Sequence, residues 1–265
     1  MWVIYILVIS ASGFPCNGLR SYKRPLHLAN RPIVGGESTQ INNFPHQVSL
    51  GYYSGDDEDT GNKTTSHFCG GSIISLDWVL TAAHCMTPWS GPHDFLVRVG
   101  SSIRDQGGYL HEVSHYIIHA DYVPRKHDPD LALVKVMKPF HIGPTVNIIP
   151  LNNSPLLQGK IATVSGWGTT TEGGESPLQL QKVQIPIMPT WECKLIYRTM
   201  ITENMFCAGR AGRSACHGDS GGAVLFNGNQ IGVVSWGRSC ELAGYSGVYV
   251  NVYQLRKWIH KHAGV

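Results

Sequence analysis

The chain has 265 residues, of which 15% are charged, and a formal net charge of +3 at pH 7. So small a charge, with lysines and arginines scattered, argues against nucleic acid or an anionic membrane as the partner. The 30 glycines and 15 prolines predict many turns and few long helices, which is typical of an all-β protein. The length suits one large domain or two small lobes with a substantial core.

The N-terminal segment predicts secretion. Residues 1–10 are apolar and uncharged, and small residues follow at positions 11–13. We assign residues 1–13 to a signal peptide; the alternative is a buried N-terminal strand. The run is too short for a comfortable membrane span and no later run is longer, so we expect a secreted protein without membrane attachment. Residues 21–32 are polar and contain prolines, and residues 14–32 are assigned to a propeptide.

Short apolar runs separated by turn residues predict strands in the rest of the chain. In chain order these are residues 47–53, 72–75, 78–81, 95–99, 131–136, 160–166, 180–187, 222–226, 230–235 and 247–252. The polar, acidic stretch 54–66 is interpreted as a solvated surface loop between two strands. Residues 252–262 carry Val252, Leu255, Trp258 and Ile259 at helical spacing and predict an amphipathic C-terminal helix.

The number and spacing of the cysteines indicate whether the protein works in an oxidising compartment. The chain has seven: Cys16, Cys69, Cys85, Cys193, Cys207, Cys216 and Cys240. None forms a CxxC pair, which argues against a zinc ribbon or a thioredoxin-type site. In a secreted chain the last six predict three disulfides, and Cys16 is left over. Glycosylation sequons stand at Asn62 and Asn152, the second followed by Pro155 after its serine.

Two stretches carry the residues of a nucleophilic site. His84 ends the run Leu80–Thr81–Ala82–Ala83, and Ser220 stands in Gly218–Asp219–Ser220–Gly221–Gly222. A serine hydroxyl needs an adjacent base such as imidazole, the imidazole needs a carboxylate, and glycines let backbone N–H groups face a developing oxyanion.

The same stretch around Ser220 also fits the G-x-S-x-G elbow of α/β-hydrolases. That fold requires a helix after the serine, then an acid and a histidine. Residues 222–226 predict a strand instead, and Glu241 is the only acidic residue after Ser220. We therefore do not favour this alternative.

Four motifs in order, IVGG (33–36), TAAHC (81–85), DLAL (130–133) and GDSGG (218–222), resemble the chymotrypsin-like (S1) family of serine peptidases. The resemblance covers residues 33 to about 262. It implies an all-β fold of two packed six-stranded antiparallel Greek-key barrels with a C-terminal helix and the active site in the cleft between barrels. The peptidase domain would span residues 33–265, with barrels at about 46–140 and 146–252.

The resemblance also implies the catalytic roles. His84 would be the general base, Asp130 its orienting carboxylate, Ser220 the nucleophile, and the N–H groups of Gly218 and Ser220 the oxyanion hole. Asp128 is a close rival for Asp130, since residues two apart on a strand face the same side. The DLAL match favours Asp130.

A substrate pocket follows from the same resemblance. Its expected residues are Ser214, Ala215, His217, Ser235, Trp236, Gly237 and Gly247. Ser214 would lie at the pocket base, where a trypsin-like enzyme carries Asp. An uncharged, deep pocket predicts cleavage after large apolar or aromatic residues.

By the same resemblance, disulfides would pair Cys69 with Cys85, Cys193 with Cys207, and Cys216 with Cys240.

The resemblance also implies activation by cleavage, which would free an ammonium at Ile33 that pairs with Asp219. The chain departs from the family pattern before this bond, since Pro32 stands where Lys or Arg is expected. We hypothesise an unusual activator or stepwise trimming.

The predicted function is a secreted serine endopeptidase; the alternative is a catalytically silent homologue that acts as a binding protein. We expect no cofactor and no metal, because the segment 100–112 offers only Asp105 and Glu112 as carboxylates for calcium. Expected partners are protein or peptide substrates and protein protease inhibitors, and we expect a monomer.

Overall fold

The computed structural model describes residues 35–56, 63–210, 212–240 and 244–265. The predicted signal peptide and propeptide, Cys16, Ile33 and the sequon residue Asn62 lie outside these residues. Within the described part of the chain, no helix is long and apolar enough to cross a membrane.

A closed barrel of six antiparallel strands occupies the first half of the chain, after a short strand β1 (Glu37–Ser38). Its strands are β2 (Gln47–Asp56), β3 (Lys63–Ile73), β4 (Trp78–Thr81), β5 (Phe95–Val99), β6 (Tyr109–Ile118) and β7 (Ala132–Val136). Their spatial order is β2-β3-β4-β7-β6-β5, with β5 returning to β2. Alternate side chains such as Val48, Leu50, Leu80 and Leu133 are completely buried and fill the interior.

The second half forms a sheet of the same kind. Its strands are β8 (Ile161–Gly166), β9 (Gln181–Pro186), β10 (Met205–Ala208), β11 (Ala223–Phe226), β12 (Asn229–Trp236) and β13 (Gly247–Asn251). They are arranged as β9-β8-β11-β12-β13-β10, and β1 adds a seventh strand beside β9. A bridge between Ile187 and Ala208 brings β10 back to the end of β9. The predicted two-barrel, all-β fold is therefore confirmed.

The described residues contain three α-helices: α1 (Ala83–Met86), α2 (Thr190–Tyr197) and α3 (Val252–Ala263). In α3, Val252, Leu255 and Ile259 are buried, as the helical spacing predicts. The helix ends where Gly264 adopts a left-handed conformation and its N–H bonds to the His260 carbonyl.

Some elements differ from the sequence predictions. The β2–β3 hairpin runs into the stretch predicted as a loop at 54–66, with Gly55 paired to Thr64 and Asp56 to Lys63. Strand β6 was missed because it carries polar residues and a bulge between Val113 and His115 breaks its alternation. Helix α2 was missed because only Cys193 and Tyr197 of its eight residues are buried.

Buried polar side chains join the two barrels. Ser165 on β8 donates a hydrogen bond to Gln47 on β2 (2.6 Å), and Ser72 on β3 donates one to Gln230 on β12 (2.7 Å). All four residues are nearly inaccessible to water. Buried polar groups are costly without partners, so these bonds favour one fixed arrangement of the barrels around the cleft.

Candidate active site

His84 and Asp130 meet where β4 and β7 pair. His84 follows β4 on the short helix α1, and Asp130 lies just before β7 with 1% of its surface exposed. One carboxylate oxygen of Asp130 accepts a hydrogen bond from His84 Nδ1 at 2.7 Å, and the other accepts one from the His84 backbone N–H at 2.9 Å. With a carboxylate facing Nδ1, the proton of a neutral ring is placed there and Nε2 is left as a free base.

The Asp130 carboxylate is ionised by its surroundings. Burial disfavours the charged form, but hydrogen bonds from His84 and from Ser235 Oγ (2.5 Å) outweigh burial and lower the pKa of Asp130 below its ordinary value. Ser235 therefore contacts the carboxylate, in addition to lining the cleft.

Asp128 occupies a different environment. Its carboxylate accepts a hydrogen bond from the Asn204 side chain at 3.0 Å, and a cis peptide joins it to Pro129. Both aspartates precede β7, so the two-residue alternation of a strand does not apply to them. The structure places Asp130, and not Asp128, against His84.

The loop that carries Ser220 packs against the first barrel. The Gly70 N–H donates a hydrogen bond to the Ser220 carbonyl at 2.7 Å, and Gly70 adjoins Cys69, which is bonded to Cys85 beside His84. A Cβ on Gly221 would lie 2.2 Å from Thr81 Oγ1, and its φ of +81° is left-handed, so this close approach requires glycine.

The Ser220 hydroxyl lines a cleft in the second barrel. It forms no hydrogen bond with any described residue, His84 included. Catalytic hydrogen bonds are often long before substrate binds and shorten in the complex, so the absence of a Ser220–His84 bond is compatible with a nucleophile–base pair.

Two backbone donors of the Ser220 loop have no acceptor among the described residues. The N–H groups of Gly218 and Ser220 donate to no atom of the described residues, whereas those of Asp219, Gly221 and Gly222 are all hydrogen-bonded within the protein. Free, fixed N–H groups beside a serine are what stabilisation of an oxyanion requires.

His67 supports this loop and was missed by the sequence reasoning. Its Nε2 lies 2.8 Å from the Gly218 carbonyl oxygen, and its Nδ1 lies 2.7 Å from Ser49 Oγ. Burial lowers the pKa of His67, and the bond to Gly218 only partly offsets this effect, so the ring is neutral. No local motif distinguishes it; only its position across the barrel interface does.

Asp219 is buried beneath the loop. Its carboxylate accepts hydrogen bonds from the N–H groups of Gly168 (2.8 Å) and Cys216 (3.0 Å). A Cβ on Gly168 would lie 2.3 Å from the carboxylate, so glycine is needed for this approach. Burial raises the pKa of Asp219 to about 6, against the effect of the two hydrogen bonds. Ile33, its predicted partner, lies outside the described residues.

Beside Ser220 opens a cleft of about 310 Å³. Six of the seven predicted pocket residues line it: Ala215, His217, Ser235, Trp236, Gly237 and Gly247. Ser214 is not among the lining residues; it is 3% exposed and its hydroxyl donates to the Cys240 carbonyl at 2.5 Å. Its polar group is therefore satisfied within the protein.

Charged residues stand at the wall of this cleft. The Arg238 guanidinium lies 5.9 Å and 5.6 Å from the ring centres of Tyr197 and Tyr245, within the range of a cation–π contact. Glu172 accepts a hydrogen bond from Ser239 and supplies the only carboxylate among the described residues that line the cleft.

The three family-implied disulfides are present: Cys69–Cys85, Cys193–Cys207 and Cys216–Cys240. The first holds β3 to the helix of His84, and the last holds the Ser220 loop to the cleft wall. The Asn152 side chain donates a hydrogen bond to the Ser154 carbonyl, and its glycosylation stays a prediction.

Three groups of possible metal ligands occur among the described residues. Two of the three clusters consist partly of disulfide cysteines, whose sulfurs are not available as thiolates. The third comprises His84, His127 and Asp130, in which the carboxylate is already hydrogen-bonded to His84.

Comparison with known proteins gives consistent matches. A family model described as Trypsin matches residues 33–259. Trypsin alpha-4 of Lucilia cuprina is 37% identical over 230 residues, covering 86% of each chain. Trypsin delta of Drosophila melanogaster is 38% identical over 235 residues, 87% of this chain and 88% of the relative. Vitellin-degrading protease of Bombyx mori is 37% identical over 236 residues, 87% of this chain and 85% of the relative.

Proposed function

The chain belongs to the trypsin family of serine proteases, and on this basis we propose that His84, Asp130 and Ser220 form the catalytic triad of a serine endopeptidase. The observation that carries the proposal is the 2.7 Å hydrogen bond from His84 Nδ1 to the buried Asp130 carboxylate, beside a cleft lined by Ser220.

The mechanism is the one established for the family's triad. Ser220 Oγ attacks the substrate carbonyl while His84 Nε2 takes its proton, and Asp130 stabilises the imidazolium. The N–H groups of Gly218 and Ser220 bind the oxyanion, and His84 then protonates the leaving amine. Water attacks the resulting acyl-enzyme by the same steps, with His84 as base again.

A catalytically silent homologue has less support. Such a protein would keep the fold and lose a reacting group, but His84, Asp130 and Ser220 are all present. The hydroxyl of Ser220 is not occupied by a hydrogen bond to any described residue.

The cleft supports cleavage after large apolar or aromatic residues. Ser214 is uncharged, so the position that carries a carboxylate in trypsin provides no counter-ion here, and its hydroxyl already donates to the Cys240 carbonyl. Arg238 at the wall disfavours a second guanidinium nearby. An aromatic ring placed in such a cleft gains from burial without needing a counter-ion.

Matched peptide amides that differ only in Phe or Arg before the scissile bond test this proposal. We expect kcat/KM for Phe to exceed that for Arg by about 10²-fold, which corresponds to about 3 kcal/mol for a cation left without a partner. In Ser214→Asp, kcat/KM for the Arg substrate should rise and that for Phe should fall.

Two results would contradict parts of the proposal. Failure to cleave either substrate would count against the enzyme itself. A preference for Arg that disappears in Glu172→Gln would instead assign the selectivity to the carboxylate at the cleft wall.

We further propose that cleavage before Ile33 activates the chain. A free ammonium at Ile33 would neutralise the buried Asp219 carboxylate, whose pKa burial otherwise raises to about 6. Leaving a buried charge unpaired costs roughly 3–5 kcal/mol, so the chain beginning at Ile33 should show kcat/KM about 10²- to 10⁴-fold above the uncleaved chain. Assays of the two purified forms check this expectation.

The control for activation is a chain with one alanine added before Ile33, which keeps a free ammonium but displaces it by one residue. It should resemble the uncleaved form. N-terminal sequencing of the active natural enzyme shows whether the bond after Pro32 or another bond is cut. A chain that starts at a residue other than Ile33 would refute this activation site.

Three disulfides and the apolar N-terminal segment support a secreted protein. Its partners would be protein or peptide substrates and protein inhibitors that occupy the same cleft, and we propose a monomer.

A further inference from the structure

The segment 101–108 connects β5 to β6 and is held in one conformation by several hydrogen bonds. Ser101 Oγ contacts the carbonyls of Ile103 (2.9 Å) and Gln106 (2.5 Å). The buried Arg98 side chain donates to the Gly107 carbonyl at 2.6 Å and to Thr65 Oγ1 at 3.1 Å. The segment is therefore fixed to the barrel wall at β3.

Within this segment Asp105 adopts a left-handed backbone conformation, with φ of +63°. Such a conformation is uncommon for residues other than glycine and is kept where surrounding contacts require it. The contact is a hydrogen bond of 2.8 Å from the His67 backbone N–H to Asp105 Oδ1, while Arg104 lies 3.4 Å from Oδ2.

The bond lies where the β2–β3 ladder is irregular. Leu50 pairs with Cys69 but Gly51 pairs with His67, so the register shifts at Phe68. A bulge of this kind locally disrupts ladder hydrogen bonds. The Asp105 carboxylate provides an acceptor for the His67 N–H at this point.

His67 carries the contact on to the Ser220 loop. Its ring lies 2.8 Å from the Gly218 carbonyl oxygen and packs edge-on against Trp167, with 5.7 Å between ring centres. A chain of two hydrogen bonds thus runs from Asp105 through His67 to the peptide that follows the Gly218 N–H donor.

We propose that Asp105 is a positioning residue for the oxyanion hole: by fixing the backbone of His67, it holds the Gly218–Asp219 peptide through the Gly218 carbonyl, and so restricts rotation of Gly218 that would turn its N–H away from the substrate oxyanion. The proposal rests on the proposed protease function. Asp105 touches no substrate and acts only through His67.

Asp105→Ala, Asp105→Asn and a control in the same loop, Gln106→Ala, test this role. The Gln106 side chain is exposed and takes part in none of these bonds. Measurements on each form are kcat and KM for a Phe peptide amide, the affinity of a peptide boronic acid that mimics the tetrahedral intermediate, and the affinity of indole, which occupies the pocket alone.

We expect Asp105→Ala to lower kcat and boronate affinity by about 10-fold each, a fraction of the 10²- to 10³-fold loss known for complete removal of an oxyanion donor. KM and indole affinity should stay within about twofold, the pattern of an interaction made in the transition state. Asp105→Asn keeps a carbonyl acceptor and should restore kcat, and Gln106→Ala should match the unaltered chain.

Unchanged kcat in Asp105→Ala would overturn the proposal, as would equal losses in boronate and indole affinity or an Asp105→Asn variant as impaired as alanine. If the alanine variant does not fold, Asp105→Ser, which is too short to reach the His67 amide, carries the same expectation. Absence of activity in the unaltered chain would refute the protease function instead, so the two failures are distinguishable.

Discussion

Replacing Ser220 by alanine is expected to lower kcat by about 10⁶-fold, the size of effect found when the nucleophile of such a triad is removed. The Ser220 hydroxyl is the atom that would form the acyl-enzyme. Ser220 lines the cleft, and the backbone N–H groups of Gly218 and Ser220 donate to no described atom. A fluorophosphonate probe, which reacts with activated serines, should label the unaltered chain and not Ser220→Ala.

The variant should fold normally. The Ser220 side chain makes no hydrogen bond to a described residue, whereas its carbonyl bonds to Gly70 through the backbone and is kept. The matched control is Ser114→Ala, an exposed serine on β6, which should keep full labelling and activity. Labelling that persists in Ser220→Ala, with activity unchanged, would refute the assignment of the nucleophile.

The Asp130→Asn substitution is expected to lower kcat by about 10⁴-fold at neutral pH, which is the second large effect. This is the magnitude known for the same substitution in the family. The amide has nearly the same shape, but an NH₂ facing His84 Nδ1 favours the tautomer in which Nε2 carries the proton. His84 then cannot accept the proton of Ser220. Single-turnover measurement of acylation would locate the loss in the chemical step.

Asp128→Asn separates the two candidate carboxylates. Asp128 contacts Asn204 and not His84, so its replacement should change kcat by less than about 10-fold. If Asp128→Asn were the damaging substitution and Asp130→Asn the mild one, the triad proposed here would be wrong. Thermal unfolding of both variants identifies any loss that comes from stability, because Asp130 also accepts a bond from Ser235.

The proposed triad combines residues from both barrels. His84 and Asp130 come from the first barrel, Ser220 and Ser235 from the second. The Gly70–Ser220 backbone bond and the buried pairs Ser165–Gln47 and Ser72–Gln230 cross between them. Loosening this interface would therefore reduce activity without altering any reacting group.

Several features could be predicted from the sequence because they depend on local patterns. The strands β4 and β5 occupy the predicted residues 78–81 and 95–99, since their apolar runs are bounded by polar or turn residues. The helix α3 begins at the predicted Val252 because its buried residues follow the helical period. His84 and Ser220 could be predicted because each stands in a short run of consecutive residues that is typical of a nucleophilic site.

Other features depend on residues that are far apart in the chain. In the sequence, Asp128 is a close rival of Asp130 for the carboxylate that faces His84. The tertiary structure brings only Asp130 within 2.7 Å of His84. Ser214 was expected at the pocket base, but its hydroxyl bonds to the Cys240 carbonyl, 26 residues further along the chain. His67 and Asp105 carry no motif. The bond of the His67 ring to the Gly218 carbonyl, and that of the His67 N–H to Asp105, exist only because separate segments meet.

The sequence by itself therefore determined the family, the two-barrel fold, and the two candidate residues His84 and Ser220, whose neighbours in the chain indicate their chemistry. The tertiary structure alone decided which carboxylate faces the imidazole, that the Ser214 hydroxyl is already hydrogen-bonded within the protein, and that His67 contacts the Gly218 carbonyl. The physical reason is that hydrogen bonds between distant segments depend on distances of a few tenths of an ångström, and such distances arise only when both barrels have packed.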